Sequence, residues 1–412
     1  MTSRSEIIGA IDDLGNRVTV ADVVAKTGLP FAEVSSALNQ IAADAKANLE
    51  VADDGEIYYC FSDYLKYVYY ASGISRAISA STQKVLDIAF FVFRLSFGIT
   101  LLFSLICFFG IALIVQTLLA GVASSTESVA GMWRDFFGLV KRLAFSDLVH
   151  LGKQYQKHGT TSGGRQGFLL NCYSFLFGEG DPNREYEENK WKLLAQVIRL
   201  NEGVVVPEHL APYTGQDPDD EQILFPVLAK FNGMPEVSSS GNIIYVFPEM
   251  QKRSEVTSYA LLPSYIEFKH WTFSRLKKDE LKPVAGLAAL NFMMSITACM
   301  LLVRPNHMNS TSSLFVFFCF YGLFFLVIPL LRLILIAEKN KKIRERNHKV
   351  KQYEQLLSNP PEELAERLEE AEHVRKSLTT STIAPIVYST KSNYLEQISD
   401  TDFQRDLKTG GM

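Results

Sequence analysis

Cysteines, histidines, a glycine-rich turn and a charge inside an apolar run are where chemistry would first be sought in this chain. Cys60, Cys107, Cys172, Cys299 and Cys319 are far apart, and three of them (Cys107, Cys299, Cys319) lie within apolar runs. No CxxC pair occurs, so neither a disulfide framework nor a local metal or redox centre is expected, and the five read as small apolar residues. The seven histidines fall at neither H-x-x-x-H nor H-E-x-x-H spacing, and G-x-S-x-G and P-loop patterns are missing. HGTTSGGRQG, His158 to Gly167, has the composition of a phosphate-cradling nest, but Gly and Ser between helices read as linker. Arg94 sits seven residues into an apolar run. An intramembrane charge is a functional candidate by default, whereas one so near the end of a run reads as an anchor reaching the interface. No catalytic, cofactor-binding or metal-ligating residue is nominated, and a non-enzymatic protein is expected.

The elements around these residues divide into apolar runs and acidic blocks. Charge is nearly balanced, 41 Lys plus Arg against 45 Asp plus Glu, and 47% of residues are hydrophobic. Basic residues gather beside the apolar runs, a segregation that points to membrane more than to nucleic acid. From Ile88 to Leu119 the only charge is Arg94, and Leu95 to Val115 alone can cross a hydrocarbon core of roughly 30 Å. Gly286 to Val303 is shorter and holds Asn291, Ser295 and Thr297, as expected of a helix packed on neighbours. Leu314 to Ala337 is rich in Phe and Leu, with Pro329 expected to kink it and Arg332 expected to snorkel to the interface.

Basic flanks orient these runs. Lys339, Lys341, Lys342, Arg344, Arg346, Lys349 and Lys351 follow the third; Lys269, Arg275, Lys277, Lys278 and Lys282 precede the second. The intervening loop, Arg304 to Ser313, has one basic residue, so the last two runs are expected to form a hairpin with its ends on the cytoplasmic or stromal side. The first run has equal basic flanks; a simple crossing there would put the sequences before and after it on opposite faces, while its 32 residues also admit tilt or a partly re-entrant path. Met1 to Ala10 shows neither a signal-peptide nor a transit-peptide pattern, leaving open synthesis in the compartment of use or a targeting segment missing from this sequence.

Self-comparison exposes a repeat at an offset of 186 residues, LEVADDGEIYYCFSDYLK from Leu49 against PEVSSSGNIIYVFPEMQK from Pro235. Each copy reads as a β-hairpin around Gly55 or Gly241, with Ile57, Tyr59 and Phe61 of the first copy expected on one strand face. Three helix-like stretches precede each hairpin; in the first copy Val34, Ala37, Leu38 and Ile41 recur at helical spacing. Three helices followed by a hairpin is the winged-helix arrangement. DNA binding by such a domain requires a basic footprint. Residues 1–70 hold 5 Lys plus Arg against 11 Asp plus Glu, residues 183–252 hold 6 against 11, and Pro30 to Asp44 has no basic residue. Protein contact is therefore preferred over nucleic acid.

Trp133 to Phe145 reads either as a helix on a membrane surface or as one packed on the second domain, and Asn359 to His373 as a capped, acid-rich tail helix, solvated or docking. NCYSFLFGEGDPN from Asn171, EENKWKLLAQVIRLNEGVVVPEHLAPY from Glu187, the hairpin ends CFSDYLK and VFPEMQK, and RLSFGITL in the first run resemble a family of plant-plastid and cyanobacterial membrane proteins. In plants that family carries the label "iron-sulfur cluster biosynthesis family protein". The resemblance covers nearly the whole chain and implies a chloroplast or cyanobacterial membrane. The label does not fit five scattered cysteines, since clusters are held by grouped thiolates.

The expected architecture is α+β, two winged-helix-like domains plus about three transmembrane helices. Domain one spans 1–70, a linker and first helix 71–122, an amphipathic and Gly-rich segment 123–182, domain two 183–252, a basic connector 253–285, a transmembrane hairpin 286–337 and a basic then acidic tail 338–412. The expected partners are the bilayer and other proteins, without cofactor. The competing readings are a membrane-tethered DNA-binding regulator and a transporter or channel subunit.

Overall fold

The computed structural model describes residues 2–53, 55–62, 89–111, 131, 133–138, 141, 168–218, 221–238, 240–251, 262–274, 276, 278–302, 310–378 and 386–390. In chain order the helices are α1 (Thr2–Asp13), α2 (Val20–Thr27), α3 (Phe31–Ala45), α4 (Ala89–Ile111), α5 (Phe168–Phe177), α6 (Tyr186–Leu200), α7 (Pro207–Thr214), α8 (Glu221–Phe231), α9 (Pro248–Gln251), α10 (Lys278–Leu302), α11 (Ser310–Ser358) and α12 (Glu362–Leu378). The strands are β1 (Arg17–Val18), β2 (Asn48–Ala52), β3 (Ile57–Cys60), β4 (Val204–Val205), β5 (Met234–Val237), β6 (Ile243–Val246) and β7 (Ile386–Ser389). His158 to Gly167, the first apolar run beyond Ile111, and Arg304 lie outside the described residues. The chain divides into two compact units, Met1–Ile74 with Asn183–Lys269 and Ile343–Met412, and Ser75–Pro182 with His270–Lys342.

The first unit contains two modules with one order of elements. In the first, β1 pairs antiparallel with β3 and β3 with β2; in the second, β4 pairs with β6 and β6 with β5. Glu50 lies opposite Tyr58 and Val51 opposite Ile57, while Glu236 lies opposite Ile244 and Val237 opposite Ile243, the same register 186 residues apart. Local signals explain the helices. Thr19 and Asp22 form a reciprocal capping box at the start of α2, and Gly28 ends it in the left-handed conformation. Val34, Leu38 and Ile41 of α3 are buried and Ala37 packs against them, as their spacing predicts.

The hairpin faces depart from expectation. Tyr59 and Phe61 are buried, but Ile57 is exposed and Tyr58, on the opposite face, is buried. The same holds in the second module, where Ile243 is exposed and Ile244 buried. In the second module the C-terminal tail accounts for the buried Ile244. Leu368, Ala371 and Val374 of α12 pack on Val204, Val206 and Ile244, covering a sheet face that would otherwise meet water. The first sheet gains β7 as a fourth strand in the order β1-β3-β2-β7.

The second unit is helical. Buried Leu101, Leu102, Leu105, Phe168, Leu169, Cys172, Phe175, Leu176, Val284, Ala288 and Phe325 form one core drawn from α4, α5, α10 and α11. Helix α5 was not anticipated, because its 10 residues are too few to register as a span. Its backbone is in direct contact with α4, where a Cβ on Gly98 would lie 2.7 Å from Leu169 Cα, the close approach that small residues permit between membrane helices. Helix α11 spans 49 residues, with Pro329 inside it.

Candidate interaction unit

The first unit is held together at a junction between its modules. Helix α2 of the first packs on α6 of the second, and the two share a single core that includes Ile7, Val24, Leu38, Leu194, Ile198, Phe231 and Phe247. Within the junction lies an ion pair with no solvent exposure, in which Arg199 Nη2 donates to Asp22 Oδ1 at 2.5 Å. Asp22 Oδ2 accepts from Thr19 N at 3.1 Å and from Thr19 Oγ1 at 2.9 Å, and Arg199 Nη1 donates to the Met250 carbonyl at 2.9 Å. The carboxylate that caps α2 thus also anchors the second module. A charge buried this completely is tolerated only where such partners surround it.

The tail is fastened by charge as well as by apolar contact. Arg367 pairs with Glu208 at 2.8 Å and Arg375 with Glu202 at 3.8 Å. Glu370 accepts from Ser238 Oγ at 2.7 Å and Asn242 Nδ2 at 2.9 Å, in the turn of the second hairpin. The acid-rich face of α12 is therefore partly a docking face.

His209, half-buried at the start of α7, accepts at Nδ1 from the Val206 N–H at 3.3 Å. Burial, with a smaller contribution from Arg375, pushes its pKa down from 6.5 to about 4. The unfolded chain therefore binds a proton that the folded chain refuses between these values, and stability rises with pH across that window. The expected result is a loss of about 3 kcal/mol as pH falls from about 6.5 to about 4, with no effect from this group above. Denaturant unfolding at a series of pH values, compared with His209→Gln, checks it; an unchanged slope in the variant would assign the loss to other groups.

An extended stretch, Leu262–Ser274, is held by side-chain carboxamides in place of a neighbouring strand. In the first unit Asn347 both accepts from Phe268 N and donates to Phe268 O, each at 2.9 Å, and Asn183 does the same for Lys269. In the second unit Asn340 serves Trp271 in the same way at 2.8 Å. A carboxamide carries the donor and acceptor of a peptide group, so each Asn satisfies a backbone pair that no sheet reaches. Cations lie on the neighbouring rings. Arg346 is 4.0 Å from the Phe268 centroid and Lys339 is 3.9 Å from that of Trp271.

In the helical unit, polar groups are turned inward. Ser104 Oγ lies 2.9 Å from Asn291 Oδ1, Ser295 Oγ donates to the Asn291 carbonyl at 2.6 Å, and Tyr321 Oη donates to Phe97 O at 2.6 Å. Asn291 and Ser295 are buried as expected of a packed helix; Thr297 is exposed and bonds back to Met293 O. The Arg332 guanidinium donates to the Ser174 and Phe175 carbonyls at the end of α5 and to the Phe273 carbonyl. Arg94 is exposed, 5.2 Å from the Tyr173 ring centroid. Trp133 and Phe136 place their rings on Phe109 of α4, within this unit.

Outward, α4 and α11 are apolar: both are long and apolar enough to cross a membrane, with only 28% and 17% of their most apolar windows buried. The middle run lies in α10, a 25-residue helix. Among the described residues no group of three or more His, Cys, Asp or Glu gathers as a metal site. Cys60, Cys107 and Cys319 are free thiols, and burial, with Glu50 beside it, raises the Cys60 pKa.

The chain is similar to a chloroplast protein of Arabidopsis thaliana described as uncharacterised, 29% identical over 431 residues that cover 97% of this chain and 81% of the relative. The likeness is to a plant plastid protein. It supports a plant plastid family and carries nothing about iron–sulfur clusters. No family model matches the chain, and no solved structure does.

Proposed function

We propose that this chain is a non-enzymatic integral membrane protein of plastid or cyanobacterial membranes, whose paired winged-helix-like modules dock protein partners in the assembly or maintenance of membrane complexes. The observation that carries the proposal is the fusion of two acidic modules into one unit around a buried ion pair. Three helices, a short strand and a hairpin in each module support the winged-helix reading, and the matched register supports a duplication. With 5 basic against 11 acidic residues in 1–70 and 6 against 11 in 183–252, neither module carries the footprint that phosphate binding needs. Two apolar helices whose side chains are mostly unburied support bilayer insertion, since soluble monomers rarely expose so much contiguous apolar surface. A plastid location rests on the Arabidopsis relative.

A shared core also constrains topology. Modules on one core lie on one side of any membrane, so if α4 crosses, the chain returns before Asn183. On this reading an even number of crossings before Asn183 is favoured over the simple single crossing. Epitope tags at the N-terminus, after Gln216 and at the C-terminus are expected to share one protease accessibility in sealed membranes. Opposite accessibility of the first two would overturn the even-crossing topology.

Docking itself is tested by gentle-detergent affinity purification of tagged full-length protein from its own membranes, with Arg199→Met for comparison. A reproducible set of membrane-complex subunits, lost in the variant while the protein still reaches the membrane, is the expected result. Recovery of chromatin proteins, or of no protein, would overturn docking.

A further inference from the structure

The two hairpins treat their outer edges differently. Along β2, the tail strand β7 adds antiparallel, with Val51 opposite Tyr388 and Glu50 opposite Ser389. Thr390 N donates to Leu49 O at 2.9 Å, and Leu49 N donates to Thr390 Oγ1 at 2.8 Å. The apolar side chains of β7 are largely outside any core: Ile386, Val387 and Tyr388 are 47%, 46% and 40% exposed. A strand that buries so little apolar area opens at low cost relative to the whole fold. In the other module β5 is the edge, and the residue in the place of Leu49 is Pro235, which lies opposite Tyr245 as Leu49 lies opposite Tyr59. Proline offers no outward N–H, a common guard on exposed edges. One edge is guarded by its sequence; the other has no guard except a weakly held strand.

We propose that the β2 edge is a strand-exchange site at which two copies of this chain trade Ile386–Ser389. The tail is the segment whose fit to this edge is shown in register, and exchange of an identical element keeps every hydrogen bond of the closed form, a low-cost route to a dimer. On the membrane reading above, confinement of copies to one bilayer raises their effective concentration for one another.

The test uses two full-length chains with different tags, Val51→Cys in one and Tyr388→Cys in the other, co-expressed and mildly oxidised in their membranes. Directly opposed residues of an antiparallel pair lie within disulfide reach. A disulfide-linked dimer carrying both tags is expected. It is lost on reduction, lost with Leu49→Pro in the acceptor chain, and lost with Thr390→Pro in the donor chain, a change outside both modules. The proposal is overturned if the dimer fails to form, whether or not one chain carrying both cysteines closes its own disulfide. It is equally overturned if the dimer survives both proline variants or forms with either cysteine alone.

Discussion

Replacing Arg199 by Met is expected to lower the stability of the two-module unit by about 3–5 kcal/mol, the cost of leaving a buried charge without its partner. Asp22 has no solvent exposure, and water cannot substitute for the lost guanidinium without opening the junction between α2 and α6. The Met250 carbonyl loses its donor at the same time. Asp22→Asn is expected to cost less, because a carboxamide oxygen still accepts from Thr19 N and keeps the cap of α2. The double variant should lose well under the sum of the two, since each single change removes the same interaction. Denaturant unfolding of detergent-solubilised protein, followed by fluorescence, reads all three; Trp191 on α6 is packed against the shared core and reports on it directly. Simple additivity would mean that the pair is not coupled, and that apolar contact alone joins the modules.

What could be read in advance follows interaction range. The hairpins and helix α3 are local, so the residues around Gly55 and Gly241 announced two hairpins, and an antiparallel hairpin is found at each. The junction is not local. Asp22 and Arg199 are 177 residues apart, and Asp22 has an ordinary local role as a helix cap that hides its second one. Strand β7 meets Leu49 from 341 residues away and has no hairpin turn to announce it. Helix α5 is too short to register as a span, and its apolar residues are explained only by the core they join with the longer helices. Arg332 was read by its distance from the end of an apolar run; its actual partners are carbonyls of residues 174, 175 and 273, which spacing along α11 does not reveal. The faces of the hairpins were misread for the same reason. An alternation rule assumes solvent on the second face, and in the second module a tail helix covers that face.

The contact between modules has a steric test independent of charge. Gly28 ends α2 with φ of +68°, and a Cβ there would lie 2.5 Å from Lys192 N and 2.6 Å from Trp191 C, both backbone atoms of α6 that cannot rotate away. Gly28→Ala is therefore expected to combine two costs. A left-handed conformation for a residue with a Cβ costs about 1–2 kcal/mol, and forcing backbone from backbone adds about 1–3 kcal/mol. Gly15 separates them, because its φ is +90° and nothing lies within 4 Å of a Cβ placed there. Gly15→Ala should show the conformational cost alone, so the difference between the two variants measures what close packing of α2 on α6 contributes. Thermal unfolding supplies the comparison, and equal losses would show that the junction yields without resistance. A larger loss at Gly28, with partner recovery reduced in the same variant, would tie docking to the joined modules. Partner recovery that survived a separated junction would instead assign docking to one module acting alone.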